Sequence, residues 1–193
     1  MELSTPRLRL REQEPGDAED ANVYESDPDS VQFQNFDVMT LKDSHEYIRT
    51  AIARANEIPR TTYDMAIVPT ESGGDRMIGR VGLQITNPEL KEAMLWYVVA
   101  PKMRNRGFAT EACARLLRFG FEELGLHRIF ADIDPLNVPS RRLCEKLAMR
   151  LEAHFVENVF LKNRWCDTAI YAILDREYRT GAARAQSLEP GVS

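Results

Sequence analysis

The chain has 193 residues, the length of one domain, with 44% hydrophobic and 28% charged residues, a balance that excludes a disordered polymer. Its net charge of −5 argues against a nucleic-acid-binding face, which needs a surplus of cations. Apolar runs such as Met94–Pro101 fall far short of the roughly 18 residues that span a bilayer, and the opening Met-Glu-Leu-Ser-Thr-Pro-Arg has no apolar leader, so a cytoplasmic protein without a membrane partner is expected.

Leu8–Arg11 alternates with period two and reads as a first, edge-like strand. After Pro15-Gly16, the acidic stretch Asp17–Glu25 suits the start of a helix, which Asp27-Pro28-Asp29 breaks. A second helix is predicted from Leu41 to about Glu57, with Leu41, Ile48, Ile52 and Ala55 on one face. The period then changes. Tyr63–Val68, Met77–Thr86 and Glu92–Val99 read as three hairpin strands, the first two joined by a Pro69–Asp75 loop, and Pro101 ends the third. Ala109–Leu124 carries a clear helical stripe. Arg128–Ile133 is a strand, and Pro139–Leu147 is a short helix with proline at its start. Leu151–Leu161 and Thr168–Leu174 form a closing antiparallel pair, with Lys162-Asn163-Arg164-Trp165 near the bend.

This order specifies an α+β, or mixed α/β, domain with one largely antiparallel sheet over residues 1–180. Residues 181–193, rich in Gly, Ala, Arg, Ser and Pro, are expected to form a disordered tail.

Cys113, Cys144 and Cys166 lack C-x-x-C spacing, and His45, His127 and His154 form no H-x-x-x-H pair, so no metal is expected. Cys113 and Cys144 lie on apolar stripes and read as small buried thiols. The chemistry concentrates after the third hairpin strand. There Lys102, Arg104 and Arg106 crowd a short loop, Gly107 turns it, and a helix begins. The first amides of a helix have no internal partner, and the peptide dipoles place positive charge there, so this junction suits a phosphate. Glycine lets the backbone approach an anion without a Cβ in the way. Neither a P-loop nor G-x-G-x-x-G is present.

Arg104-Asn105-Arg106-Gly107-Phe108-Ala109 resembles the R/Q-x-x-G-x-G/A signature of GNAT acetyltransferases. Thr5-Pro6-Arg7-Leu8-Arg9-Leu10-Arg11 resembles the T-x-R-L-x-L-R opening of their RimJ/RimL-like branch, and Asn137-Val138-Pro139-Ser140 with Leu143 and Lys146-Leu147 resembles its N-x-x-S…L-x-x-K-L segment. Asn158–Lys162 with Trp165, Asp167 and Tyr171 looks like its closing strands, so the resemblance covers residues 5–175. It implies the GNAT fold, with a splayed strand pair that binds acetyl-CoA as co-substrate, and no metal. It also implies cofactor contacts from Val98, Val99, Arg104, Asn105, Arg106, Gly107, Phe108, Ala109, Thr110, Asn137, Ser140 and Arg142. The activity implied is direct acetyl transfer to a primary amine, either a protein amino terminus or a small amine such as an amino-group antibiotic. A non-catalytic acyl-CoA-binding or regulatory module is the alternative.

Three positions depart from the branch. Cys144 stands where many members carry a tyrosine that protonates the leaving thiolate, leaving Ser140 either as a thiolate donor or as a helix cap. Met94 and Trp96 stand where the branch often shows a carboxylate and a glycine, and Ala148-Met149 replaces Gly-Phe. Glu92, two residues before Met94 on the same strand face, is either the general base or a solvated strand-end glutamate. A homodimer is expected through the closing strands, where Phe155, Phe160 and Trp165 could form an exposed apolar patch.

Overall fold

The period-two segments join into one eight-stranded sheet in the computed structural model, whose described residues are 1–72 and 74–186. The strands are β1 (Glu2–Ser4), β2 (Leu8–Glu12), β3 (Thr62–Pro69), β4 (Gly79–Asn87), β5 (Glu92–Val99), β6 (Arg128–Ile133), β7 (Arg150–Leu161) and β8 (Arg164–Leu174). They lie in the order β1-β2-β3-β4-β5-β6-β8-β7, and every neighbouring pair is antiparallel except β5–β6. The strand at Leu8 is therefore not the edge: β1 pairs outside it, and three residues are too few to show alternation.

The helices are α1 (Asp17–Glu25), α2 (Pro28–Val31), α3 (Leu41–Ala55), α4 (Phe108–Arg118), α5 (Val138–Lys146) and α6 (Asp175–Gln186). A single turn, α2, occupies the expected break, started by the Asp27 side chain accepting from the Asp29 amide. Thr40 and Asp43 form a reciprocal capping box that fixes where α3 begins. The long helix expected to reach Leu124 is α4 followed by a widened turn over Phe119–Glu123. The hairpin bend narrows to Lys162 and Asn163, both left-handed (φ 52° and 59°), as a two-residue turn that follows strand twist requires. Helix α6 runs past Thr180, and residues 187–193 of the expected tail lie outside the described residues.

The sheet buries both faces. Leu95, Val99, Ile129, Ala131 and Tyr171 face the cluster that includes Leu116 and Leu117 of α4 and Leu143 of α5. Ala66, Val68 and Val98 face α1 and α3 through Ala18, Ala21, Tyr24 and Ile48. On the second face a charge is sealed in: Arg80, 1% exposed, bonds the buried Glu25 carboxylate and stacks over the Tyr47 ring at 3.8 Å. Removing one partner of such a pair leaves an uncompensated buried charge. No described helix is long and apolar enough to cross a membrane.

Candidate active site

Strands β5 and β6 stay paired only from Glu92↔Arg128 to Met94↔Phe130, and beyond Met94 they diverge. The gap lies in the middle of the sheet and joins its two faces. A cavity of about 560 Å³ fills it. Its walls include Tyr97, Asn137, Ser140, Leu143 and Cys144 from the α4–α5 side, and Asp64, Arg80, Met94, Trp96 and Val98 from the α1–α3 side. Lys162, at the tip of the β7–β8 hairpin, donates to the Val31 carbonyl and so ties that hairpin to the segment that roofs the cavity.

The free edge of β5 can be worked out from the ladder. The Ala100 N–H donates to the Ile78 carbonyl, so by alternation the backbone of Val98 faces β4 while that of Tyr97 and Val99 faces the gap. Of the two valines expected to offer amides, only Val99 presents its backbone there. Its carbonyl already accepts from Arg104 Nε at 3.1 Å.

At one end of the gap stands the expected phosphate cradle. Gly107 precedes α4 in the left-handed region (φ 83°), Asn105 is also left-handed (φ 61°), and no side chain caps the helix. The first-turn amides of Phe108, Ala109 and Thr110 are therefore open donors at the positive end of the dipole. Lys102, Arg106 and Arg142 are exposed, and no described residue bonds or pairs with their side chains. Backbone geometry, open amides and unpaired cations together fit a pyrophosphate.

The N-terminal motif braces this loop. Thr5 Oγ1 donates to Glu111 at 2.6 Å, Arg7 Nε donates to the same carboxylate at 2.7 Å, and Arg7 Nη1 reaches the Arg106 carbonyl at 3.0 Å. The Arg7 guanidinium also lies over the Phe108 ring at 5.0 Å. Burial opposes ionisation of Glu111, but the hydrogen bonds from Thr5 and Arg7 outweigh it and hold its pKa below the ordinary value. In the sequence Thr5 and Arg7 stand out only as part of a motif, because their partner lies about a hundred positions away.

On the α5 side, Ser140 does two things. Its amide donates to Asn137 Oδ1 at 3.2 Å, so Asn137 is the helix cap. Its hydroxyl meets the Tyr97 phenol at 2.9 Å, a partner the sequence reading missed. Burial pushes the Tyr97 phenol up, against the opposing Ser140 bond, and keeps it neutral. Cys144 is buried on the same wall with its thiol pushed up to about 12 by burial, so it packs as a neutral group. Cys113 and Cys166 are likewise free and buried. Among the described residues no group of three His, Cys, Asp or Glu could hold a metal ion.

Glu92 does not reach the gap. It lies at the joined end of β5–β6, bonded to Arg128 at 2.5 Å and to Thr86 at 3.3 Å, and it is not among the cavity walls. Tyr97, which marks the level of Ser140, is five residues further along, about 16 Å at roughly 3.3 Å per residue. The strand-end reading of Glu92 is the one the geometry supports.

Residues 7–150 match the model of the acetyltransferase (GNAT) domain. The chain belongs to the GNAT acetyltransferase family. A Bacillus subtilis relative, the uncharacterized N-acetyltransferase YnaD, is 31% identical over 92% of this chain and 99% of its own length. The solved GNAT-family acetyltransferase from Bacillus anthracis superposes with a TM-score of 0.81 at 29% identity, covering 92% of this chain and all of that one. The same fold recurs at 23% identity and a TM-score of 0.77 in spermidine N-acetyltransferase from Vibrio cholerae in complex with CoA and spermine, covering 91% of this chain and 99% of that one. The acetyltransferase thus has its expected fold.

Proposed function

We propose that this acetyltransferase moves the acetyl group of acetyl-CoA directly to a primary amine, on a small molecule or at a protein amino terminus. One observation carries the reading: a cavity passes through the β5–β6 gap from the cradle side of the sheet to the opposite face. Bound there, acetyl-CoA supplies an activated acyl group. The chain's own residues hold and orient it. The α4 amides of Phe108, Ala109 and Thr110, with Arg104, Asn105, Arg106 and Arg142, cradle the pyrophosphate, Gly107 keeps the approach open, and the Val99 backbone faces the pantetheine arm.

Ser140 holds the departing thiolate. The Tyr97 phenol and Ser140 Oγ lie 2.9 Å apart and either can donate; with the phenol as donor to Oγ, the serine proton is free to point at sulfur, and the phenol acts through the serine. The amine arrives over the other face, past Asp64, Arg80 and Trp96. Three free cysteines fit the reducing cytoplasm, the compartment proposed for this reaction.

We also propose that the protein pairs with itself through the β7–β8 hairpin. Phe155, Val156 and Phe160 on the edge strand β7, and Trp165 beside them on β8, are 48%, 74%, 56% and 59% exposed. Light scattering is expected to give twice the 22.1 kDa chain mass, and particles of chain mass alone would oppose pairing.

The activity is tested by thiol release from acetyl-CoA against spermidine, a short peptide with a free amino terminus and an aminoglycoside. Amine-dependent release supports the reading. Tight CoA binding with no turnover of any amine would favour a binding module.

A further inference from the structure

We propose that Asp132 on β6 is the general base of this acetyltransferase, in place of the carboxylate that β5 lacks at Met94. The assignment rests on the proposed transfer to an amine, and four observations lead to it. An ammonium with a solution pKa near 10 must lose a proton before its nitrogen can attack, so the amine-facing side of the gap needs an acceptor.

The first observation is register. Met94 pairs with Phe130 in the last parallel step before the strands part, so two residues on, Asp132 stands opposite Trp96 across the gap. The second is facing. Ile129 and Ala131 point into the α4–α5 core, so Phe130 and Asp132 point to the other face, as do Met94 and Trp96. Asp132 therefore sits on the amine side, at the level where the strands have parted, in the cavity wall.

The third observation is availability. Asp64 accepts from Tyr47 at 2.6 Å and Gln13 at 3.0 Å and is 6% exposed. It also lies two strands from β5, about 10 Å at roughly 4.8 Å per strand. Asp134 pairs with Arg164 at 2.8 Å, and Asp167 accepts from the Glu157 amide at 2.9 Å and meets His154 at 2.7 Å. Asp132 is exposed, and no described residue bonds or pairs with it. Of the four carboxylates in the wall, it is the one whose lone pairs are free. The fourth observation is that Glu92, the other candidate, is held by Arg128 at the joined end.

The step balances. The ammonium gives its first proton to Asp132, which passes it to water. The nitrogen lone pair forms the C–N bond. The C–S electron pair leaves on sulfur, held by the Ser140 hydroxyl, and the nitrogen's second proton neutralises the thiolate. The products are the amide, the free thiol and one proton in solution.

The test is steady-state thiol release with acetyl-CoA and the fastest of spermidine, a short free-amino-terminus peptide and an aminoglycoside, from pH 7 to 9.5. Asp132→Asn is expected to lower kcat roughly 100-fold at pH 7, with acetyl-CoA affinity unchanged. The deficit should shrink as the pH nears the amine's own pKa, where free amine no longer needs a base. Asp132→Glu should recover part of the rate, and Glu92→Gln should match wild type in rate and profile. A folded Asp132→Asn variant as active as wild type, or one whose deficit is the same at every pH, would overturn the assignment alone. A wild-type protein that binds CoA and turns over none of the amines would overturn both this assignment and the transfer on which it rests.

Discussion

Replacing Gly107 by valine attacks the cradle through its backbone. Gly107 holds φ 83°, and a Cβ built there meets only the Arg7 guanidinium, at 3.2 Å. The main cost is therefore conformational. An L-residue in the left-handed region is disfavoured by about 1–2 kcal/mol, and a β-branched one by more. If the loop must return to this conformation to aim the α4 amides at the pyrophosphate, that cost is subtracted from binding. At about 1.4 kcal/mol per tenfold, CoA affinity should fall roughly 5- to 30-fold, and further where the branched side chain crowds the phosphate itself. Gly107→Asn, a residue that tolerates the left-handed region, should fall less. Isothermal calorimetry on variants that keep the wild-type circular dichroism measures both. Unchanged affinity in a folded Gly107→Val variant would show that the cradle is not at this helix.

Four further outcomes are expected. Ala148 occupies the left-handed position (φ 58°) after α5, where Ala148 and Met149 donate back to Glu145 and Cys144; Ala148→Gly removes about 1–2 kcal/mol of strain against about 0.5–1 of chain entropy, so a gain of roughly 0.5–1 kcal/mol should appear in urea unfolding, and a loss would refute it. Tyr97→Phe should lower kcat about 10-fold with CoA affinity intact, and the double variant with Ser140→Ala should be no slower than Ser140→Ala alone; additive losses would separate the two residues. Gly82→Ala places a Cβ 2.3 Å from the Trp96 ring, so KM for the amine should rise while CoA affinity holds, and an unchanged KM would remove Trp96 from the acceptor wall. Glu111→Gln removes a carboxylate whose pKa is depressed on folding, so its stability deficit should be full at neutral pH and disappear as pH falls through and below about 4.3; a deficit that stays constant down to pH 3 would contradict the Thr5 and Arg7 bonding.

Local rules made much of this legible. Glu92–Val99 and Arg128–Ile133 read with their observed bounds because alternation and flanking breakers agree there. Gly107 announced the cradle through a glycine between a basic loop and an amphipathic helix. What stayed hidden depends on which strands become neighbours. Tyr97 on β5 and Ser140 on α5 meet only after the chain has crossed through α4 and β6. The opposition of Asp132 to Trp96 needs the parallel β5–β6 register, which no short segment encodes. Glu92 looked usable because strand parity placed it on the right face. Parity says nothing of level along the strand, and Arg128 pairs with it at the closed end.

A crystal structure with acetyl-CoA bound tests most directly whether the β5–β6 gap and the α4 cradle hold the cofactor. The pyrophosphate is expected on the amides that follow Gly107, the pantetheine arm along the free edge of β5 at Val99, and the thioester sulfur within hydrogen-bonding reach of Ser140 Oγ. A cofactor bound elsewhere, or one whose thioester stays outside the β5–β6 gap, would contradict it.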